Sequence, residues 1–310
     1  PAALPVTDAA GELVEPIYWQ DVYQSPQLRE LVRLALDENR DLRIAAANVQ
    51  LARAQYGISR AQRLPTVTAR GSATEAGTIG DGHGGAGFGE GVSANIGITN
   101  YELDLFGRVA ALNEAALQSY LASAEGERAA RIAIAATVGE IWMQLAADKA
   151  LLELAEDTVD VQSESMSLTE ELFKAGVATE LDVRRASASV ETARAQSAQF
   201  AAQVEQDLNA LRFVVGADLP EGTYAAARLE PTPLAEDIPV GQSSLVLLSR
   251  PDVQSAERQL MAANANIAAA RAAFFPSISL TAAAGAGSTE LGALFKAGSG
   301  AWSFAPSISL

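Results

Sequence analysis

DLRIAAANVQLARAQYGISRAQRLPTVTA, residues 41–69, returns 211 residues later and without a gap as DVQSAERQLMAANANIAAARAAFFPSISL, residues 252–280. Asp41, Ala45, Ala52, Ala54, Arg60, Ala61 and Pro65 recur as Asp252, Ala256, Ala263, Ala265, Arg271, Ala272 and Pro276, and Val67 recurs as Ile278. Alanine matches carry little weight in so alanine-rich a chain. The aspartate, arginine and proline at unchanged spacing carry the inference of an internal duplication. Each copy reads as a helix that stops at a proline and passes into alternating apolar and small polar residues.

The first copy continues into two strands around a glycine-rich loop. Val67, Ala69, Gly71 and Ala73 alternate with Thr66, Thr68, Arg70 and Ser72, and Val92, Ala94, Ile96 and Ile98 alternate with Ser93, Asn95, Gly97 and Thr99. Between them nine of the 24 glycines crowd into Gly71 to Gly91, a stretch too permissive in backbone angle for helix or regular strand. The alternation returns with Ile278, Leu280 and Ala282 against Ser277, Ser279 and Thr281, then with Trp302, Phe304, Ile308 and Leu310 against Ser303, Ser307 and Ser309.

No proline lies between Pro65 and Pro220, and from Leu105 to Phe173 only Gly107 at the very start and then Gly126 and Gly139 weaken a helix-forming composition. The spacing predicts one very long helix there. Leu145, Leu152, Val159, Met166 and Phe173 recur every seven residues, with Asp148, Ala155, Gln162 and Thr169 as companions, which is a supercoil stripe. KAGVATELD, residues 174–182, interrupts it: Gly176 suits a helix C-cap and Thr179 the N-cap of a return helix reaching about Val215. That helix carries Val183, Val190, Val204 and Leu211 at multiples of seven and is expected to run antiparallel to its predecessor.

Composition limits the function classes. The chain of 310 residues has 38 acidic against 22 basic residues, a formal charge of -16, which repels a phosphate backbone and argues against nucleic acid as a partner. It has no cysteine, so disulfides, thiolate nucleophiles and Cys-ligated metals are excluded. No GxSxG, HExxH or GxxxxGK[ST] motif occurs, and the one histidine, His83, has only Asp81 beside it. No enzyme activity, cofactor or metal is expected. The longest charge-free stretch, Ala272 to Thr289, contains Pro276 and several Ser, Thr and Gly, so no membrane-spanning helix is expected.

The segments YWQDVYQSPQLRELVRLALDENRDLRIAAANVQLARAQYGISRAQRLPTVTARG, YELDLFGRVAALNEAA, LFKAGVATELDVRRA and RPDVQSAERQLMAANANIAAARAAFFPSISL, in this order and spacing, resemble the TolC-like outer membrane factors, in the OprM-type branch of tripartite efflux systems. The resemblance covers essentially the whole chain. It implies a mainly α fold with membrane β-barrel strands, in which a homotrimer shares an outer-membrane barrel above a periplasmic tunnel of long antiparallel helices. It also implies a passive exit duct in the outer membrane of a Gram-negative bacterium, working with a periplasmic adaptor and an inner-membrane pump. Gly176, Val177, Ala178 and Thr179 then correspond to the tip at which the adaptor docks, with Glu180 and Asp182 as candidate aperture charges. Val67, Ile96, Ile98, Ile278 and Leu280 correspond to lipid-facing strand positions. Relatives of this branch are often lipidated at an N-terminal cysteine; this chain has none, so such an anchor either precedes Pro1 in the precursor or is absent.

The expected order is an extended lead over 1–25, an upward helix over 26–63, strand, loop and strand over 64–104, and a helical hairpin over 105–215 with its tip near 174–180. A connector over 216–243, a second upward helix over 244–275 and barrel strands over 276–310 complete it. Because the second copy ends in its second strand, the repeat predicts a further helical hairpin beyond Leu310. Two other readings stand beside the efflux duct: a type I protein secretion channel of the same fold, and a soluble coiled-coil scaffold whose four strands form a small sheet.

Overall fold

A computed structural model describes residues 19–74, 91–229, 231–235 and 244–310. The first elements are α1 (Trp19–Val22), α2 (Pro26–Glu38), α3 (Arg40–Ala61), β1 (Val67–Thr74) and β2 (Gly91–Leu103). The long helices α4 (Arg108–Lys174) and α5 (Glu180–Val215) come next, followed by a short α6 (Thr223–Ala226), α7 (Pro251–Ala272), β3 (Ser277–Ser288) and β4 (Gly300–Ser309). His83 and Asp81, most of the glycine-rich loop and most of the 1–25 lead lie outside the described residues. The chain forms two compact units, one from residues 1–48 with 124–254 and one from 49–123 with 255–310.

In the first unit α2 buries Leu28, Leu31, Val32 and Ala35, the i, i+3, i+4, i+7 face of an amphipathic helix started by Ser25 and Pro26. These side chains join Val138, Trp142 and Leu145 of α4 and Leu208, Leu211 and Val215 of α5 in a single apolar core.

Besides the second upward helix, expected from 244 but starting at Pro251 after a separate 3-10 helix over Ser244–Ser249, three expectations change here. Residues 19–22, placed in an extended lead, form a helical turn, and a second short helix, α6, interrupts the connector. The helix expected unbroken over 26–63 is two helices, because Asn39 ends one and caps the next. Its N–H donates to the Ala35 carbonyl, its Oδ1 accepts from the N–H groups of Asp41 and Leu42 (2.8 and 3.0 Å), and its Nδ2 donates to the Val214 carbonyl (2.6 Å). Third, Gly139 is a packing requirement and no interruption: a Cβ there would lie 2.4 Å from Tyr23 Oη. The Tyr23 hydroxyl, buried against α4, donates to the Ala135 carbonyl at 2.8 Å, and burial, then Glu140, raises its pKa.

The second unit holds one antiparallel sheet in the order β1-β2-β3-β4. Both ends of α7 fall 211 residues after the corresponding ends of α3, Arg40 to Pro251 and Ala61 to Ala272, so the duplicated sequence produces helices of equal length. Pro65 and Pro276 follow them, and β1 and β3 leave in the same way.

Candidate functional sites at the helical turn and on the sheet

The turn between α4 and α5 is fixed at both ends by its own backbone. Gly176 has φ +72°, its N–H donates to the Phe173 carbonyl, and Val177 N–H donates to the Leu172 carbonyl at 2.9 Å, a Schellman closure of α4. Thr179 caps α5: its hydroxyl accepts from Asp182 N–H, while Asp182 Oδ2 accepts from Thr179 N–H at 2.9 Å, a reciprocal capping box. Between these caps Val177 points outward, 75% exposed.

The two acids offered as aperture charges have local partners. Asp182 is held by Thr179, whose hydroxyl and then backbone N–H lower its pKa, and Glu180 pairs with Arg184 at 3.2 Å one turn along α5. The heptad stripe behind the turn is tightest far from it. Leu145, Leu152 and Ala155 are buried, Val159 and Met166 half-buried, and Phe173 exposed.

On the sheet, Val67 pairs with Ile98, Ile98 with Ala282 and Ala282 with Phe304; Ala69 pairs with Ile96, Ile96 with Ala284 and Ala284 with Trp302. Cross-strand partners share a face, so Val67, Ile96, Ile98, Ile278 and Leu280 all lie on one side, with Trp302, Phe304 and Ile308. A bulge between Ile98 and Tyr101 shifts the parity of β2, which brings Tyr101 and Leu103 onto the same apolar face, opposite Leu280 and Ile278. The period-two pattern of the sequence stops at Thr99, so this extension was not legible from alternation alone.

The opposite face carries Thr68, Arg70, Ser72, Ser93, Asn95, Ser279, Ser303 and Ser307 with glycines between them. Ser72 and Ser93 hydroxyls lie 2.8 Å apart, and Ser279 and Ser307 2.7 Å. Gly97 and Gly285 sit where backbones approach closely: a Cβ on Gly285 would stand 2.3 Å from the Ala94 carbonyl oxygen. The four strands contain two charged residues. Glu102 is paired with Arg108 through two hydrogen bonds, one of 2.8 Å, and Arg70 stands alone in mid-strand.

An elbow missed at the level of sequence joins strand to helix. Asp104 accepts from the N–H groups of Val109 and Ala110 (2.9 and 2.7 Å), which starts α4 three residues later than Leu105. Gly107 takes φ +76°, and Phe106 stacks on Phe275 with ring centroids 4.8 Å apart. The signal was present in ELDLFGR, an aspartate and a glycine just ahead of a helical run. Among the described residues no group of three or more His, Cys, Asp or Glu is placed to hold a metal ion, and no helix is long and apolar enough to cross a membrane.

A family model described as outer membrane efflux protein matches residues 31–217 and 243–310. The chain is 44% identical over 294 residues to a probable efflux pump outer membrane protein, TtgC, of Pseudomonas putida, covering 94% of this chain and 60% of that protein. It therefore spans about 60% of the length of the curated relatives it matches. Among solved structures it resembles CusC, with a TM-score of 0.86 and 35% identity over 100% of this chain and 71% of that one, in a study of folding and transmembrane channel formation. It also resembles the open state of the MtrE outer membrane channel of Neisseria gonorrhoeae, with a TM-score of 0.82 and 37% identity over 100% of this chain and 70% of that one.

Proposed function

This chain belongs to the outer membrane efflux protein family, and from that premise we propose that it is the outer-membrane component of a tripartite efflux system, a passive exit duct for drugs or other small solutes. The observation that carries this reading is the sheet. It has one continuous apolar face and one face of small polar groups, and every described residue of β1 and β4 is exposed. An apolar face and a wet face on alternating residues are what lipid on one side and an aqueous lumen on the other require.

In this reading three copies pool their strands into one barrel in the outer membrane of a Gram-negative cell. The helices extend into the periplasm, and the turn at Gly176, Val177, Ala178 and Thr179 receives the adaptor that connects to an inner-membrane pump. The duct performs no chemistry, and energy comes from the pump. The capped, preformed turn supports a docking role, since a rigid loop loses little entropy on binding. Asp182 and Glu180, committed to local partners, act at the tip through the charge they add to its rim.

The test is reconstitution of the native protein into planar bilayers. Discrete conductance steps from a detergent-extracted trimer are expected; a protein released from membranes by salt alone, without detergent, would favour the scaffold reading instead. Co-purification with a drug-pump adaptor rather than a secretion ATPase separates efflux from type I secretion.

A further inference from the structure

The geometry points to a single proton shared between the carboxyl groups of Asp148 on α4 and Asp207 on α5, a clasp inside the helical hairpin that protonation closes and deprotonation loosens. Both side chains are buried, at 5% and 7% exposure, and both lie in the first unit, among Leu145, Leu152, Val204, Leu208 and Leu211 of its core. A buried carboxylate ordinarily requires a cation or several N–H donors. Here each receives one amide: Gln144 Nε2 donates to Asp148 Oδ2 at 2.7 Å, and Gln203 Nε2 donates to Asp207 Oδ1 at 3.3 Å. Asp207 Oδ2, fully buried, receives no donor among the described residues.

What stands within reach of Asp207 is the carboxyl group of Asp148. Two ionised carboxylates are both acceptors and repel; one proton between them turns the contact into a hydrogen bond.

The nearby cations are engaged elsewhere. Lys149, next in the chain, donates to the carbonyls of Tyr224 and Ala225 (3.2 and 3.4 Å), and its ammonium lies 4.8 Å from the Tyr224 ring centroid. On α2, which packs against α5, Arg33 pairs with Glu30 and Asp37 on the exposed side; on α5 itself, Arg212 donates to Asn209. The charge that acts on Asp207 is Asp148, and together with burial, the larger cause, it holds the Asp207 carboxyl above the ordinary range.

The sign follows from that direction. A carboxyl raised in the folded state contributes stability that is complete below the unfolded value and is lost as pH climbs through the raised value, by about tenfold in the folding equilibrium per pH unit for one proton. Loss of the proton sets two like charges facing across α4 and α5, a device that makes the hairpin sensitive to pH far from its turn, near the end of α5. This inference concerns the interior of one hairpin and does not depend on the duct reading.

Infrared spectra of the native protein in detergent test it directly. On acidification the carbonyl stretch of a protonated carboxylic acid is expected to appear at a higher pH than for the exposed carboxyls, and to be missing at that pH from both Asp148→Asn and Asp207→Asn. Denaturation across pH should show wild-type stability falling as pH rises above the ordinary carboxylate range, and a flatter profile for Asp207→Asn, whose amide supplies the missing donor permanently. Appearance of the acid band in the wild type only together with the exposed carboxyls, a measurement that needs no variant to fold, would overturn the proposal. So would equal loss of stability in Asp207→Asn at every pH, or protection that appears only with added Ca2+ or Na+, which would assign the gap to a metal cation.

Discussion

Replacing Gly176 isolates backbone geometry from packing at the turn. Its φ of +72° lies in the left-handed region, and a Cβ built there would meet no atom within 4 Å, so the cost of a side chain is conformational alone. An L-residue held in that region loses about 1–2 kcal/mol, with valine at the upper end because its branched Cβ crowds the backbone, and asparagine costs less. Equilibrium unfolding of the native protein should therefore rank wild type above Gly176→Asn above Gly176→Val. Adaptor affinity should fall with the same ranking, while Val177→Asp, at a side chain that touches little, should weaken docking with stability unchanged. If Gly176→Val is as stable as wild type, the left-handed closure of α4 is not needed. If stability falls but adaptor affinity and efflux hold for both Gly176→Val and Val177→Asp, the turn is only a connector.

Three further outcomes follow from the packing and the strand register. Ile96→Lys should block membrane assembly, at about 2–4 kcal/mol for a lysine near the bilayer midplane, while Ser93→Lys on the other face is tolerated; heat-modifiable trimer on a gel reads both. Gly139→Ala gains up to about 1 kcal/mol of helix propensity but loses about 1–3 kcal/mol by overpacking on Tyr23, so a net loss in chemical denaturation is expected, and its cost should shrink when Tyr23→Leu is made beside it. Arg70→Glu should shift the reversal potential of the reconstituted channel towards cation preference in dilute salt and little in molar salt, because screening there acts over about 3 Å.

The parts of the fold that depend on period and punctuation could be read in the sequence. Pro65 and Pro276 end their helices, Thr179 and Gly176 cap theirs, and residues 67 and 96 alternate in phase with their cross-strand partners. What could not be read depends on a partner distant in sequence. Asn39 looks like any polar helix residue until the Val214 carbonyl is beside it, and Gly139 looks like a helix weakener until Tyr23, 116 residues earlier, fills the space it leaves. Asp148 was visible as a polar member of an apolar stripe. Its meaning required Asp207 on the other arm of the hairpin, because a charge in a heptad is unremarkable until a second one faces it.

The sheet, considered alone, is an unfinished object. It exposes Trp302 at 81%, Ile308 at 70% and Val67 at 60%, an apolar face that invites association in water, and its outer strands β1 and β4 leave one edge each without a partner among the described residues. In the proposed barrel both problems have one solution: β4 of one copy pairs with β1 of the next, and lipid covers the apolar face. The register rule then makes a sharp demand, since residues opposite each other across the new pair must share a face. Ser72 lies on the polar face with Ser303, Ala305 and Ser307, whereas Trp302, Phe304 and Ile308 lie on the apolar one. Residues 1–310 contain no cysteine, so a cysteine at Ser72 combined with one at each β4 position in turn, in a background with any cysteine elsewhere in the protein replaced, gives an unambiguous scan. Opposed strand residues stand about 5 Å apart, within disulfide reach. Oxidation should link copies into a ladder ending at the trimer for one or two odd-numbered positions and for no even-numbered one. Links that ignore parity, or no links at any position, would mean that β1 and β4 do not meet between copies.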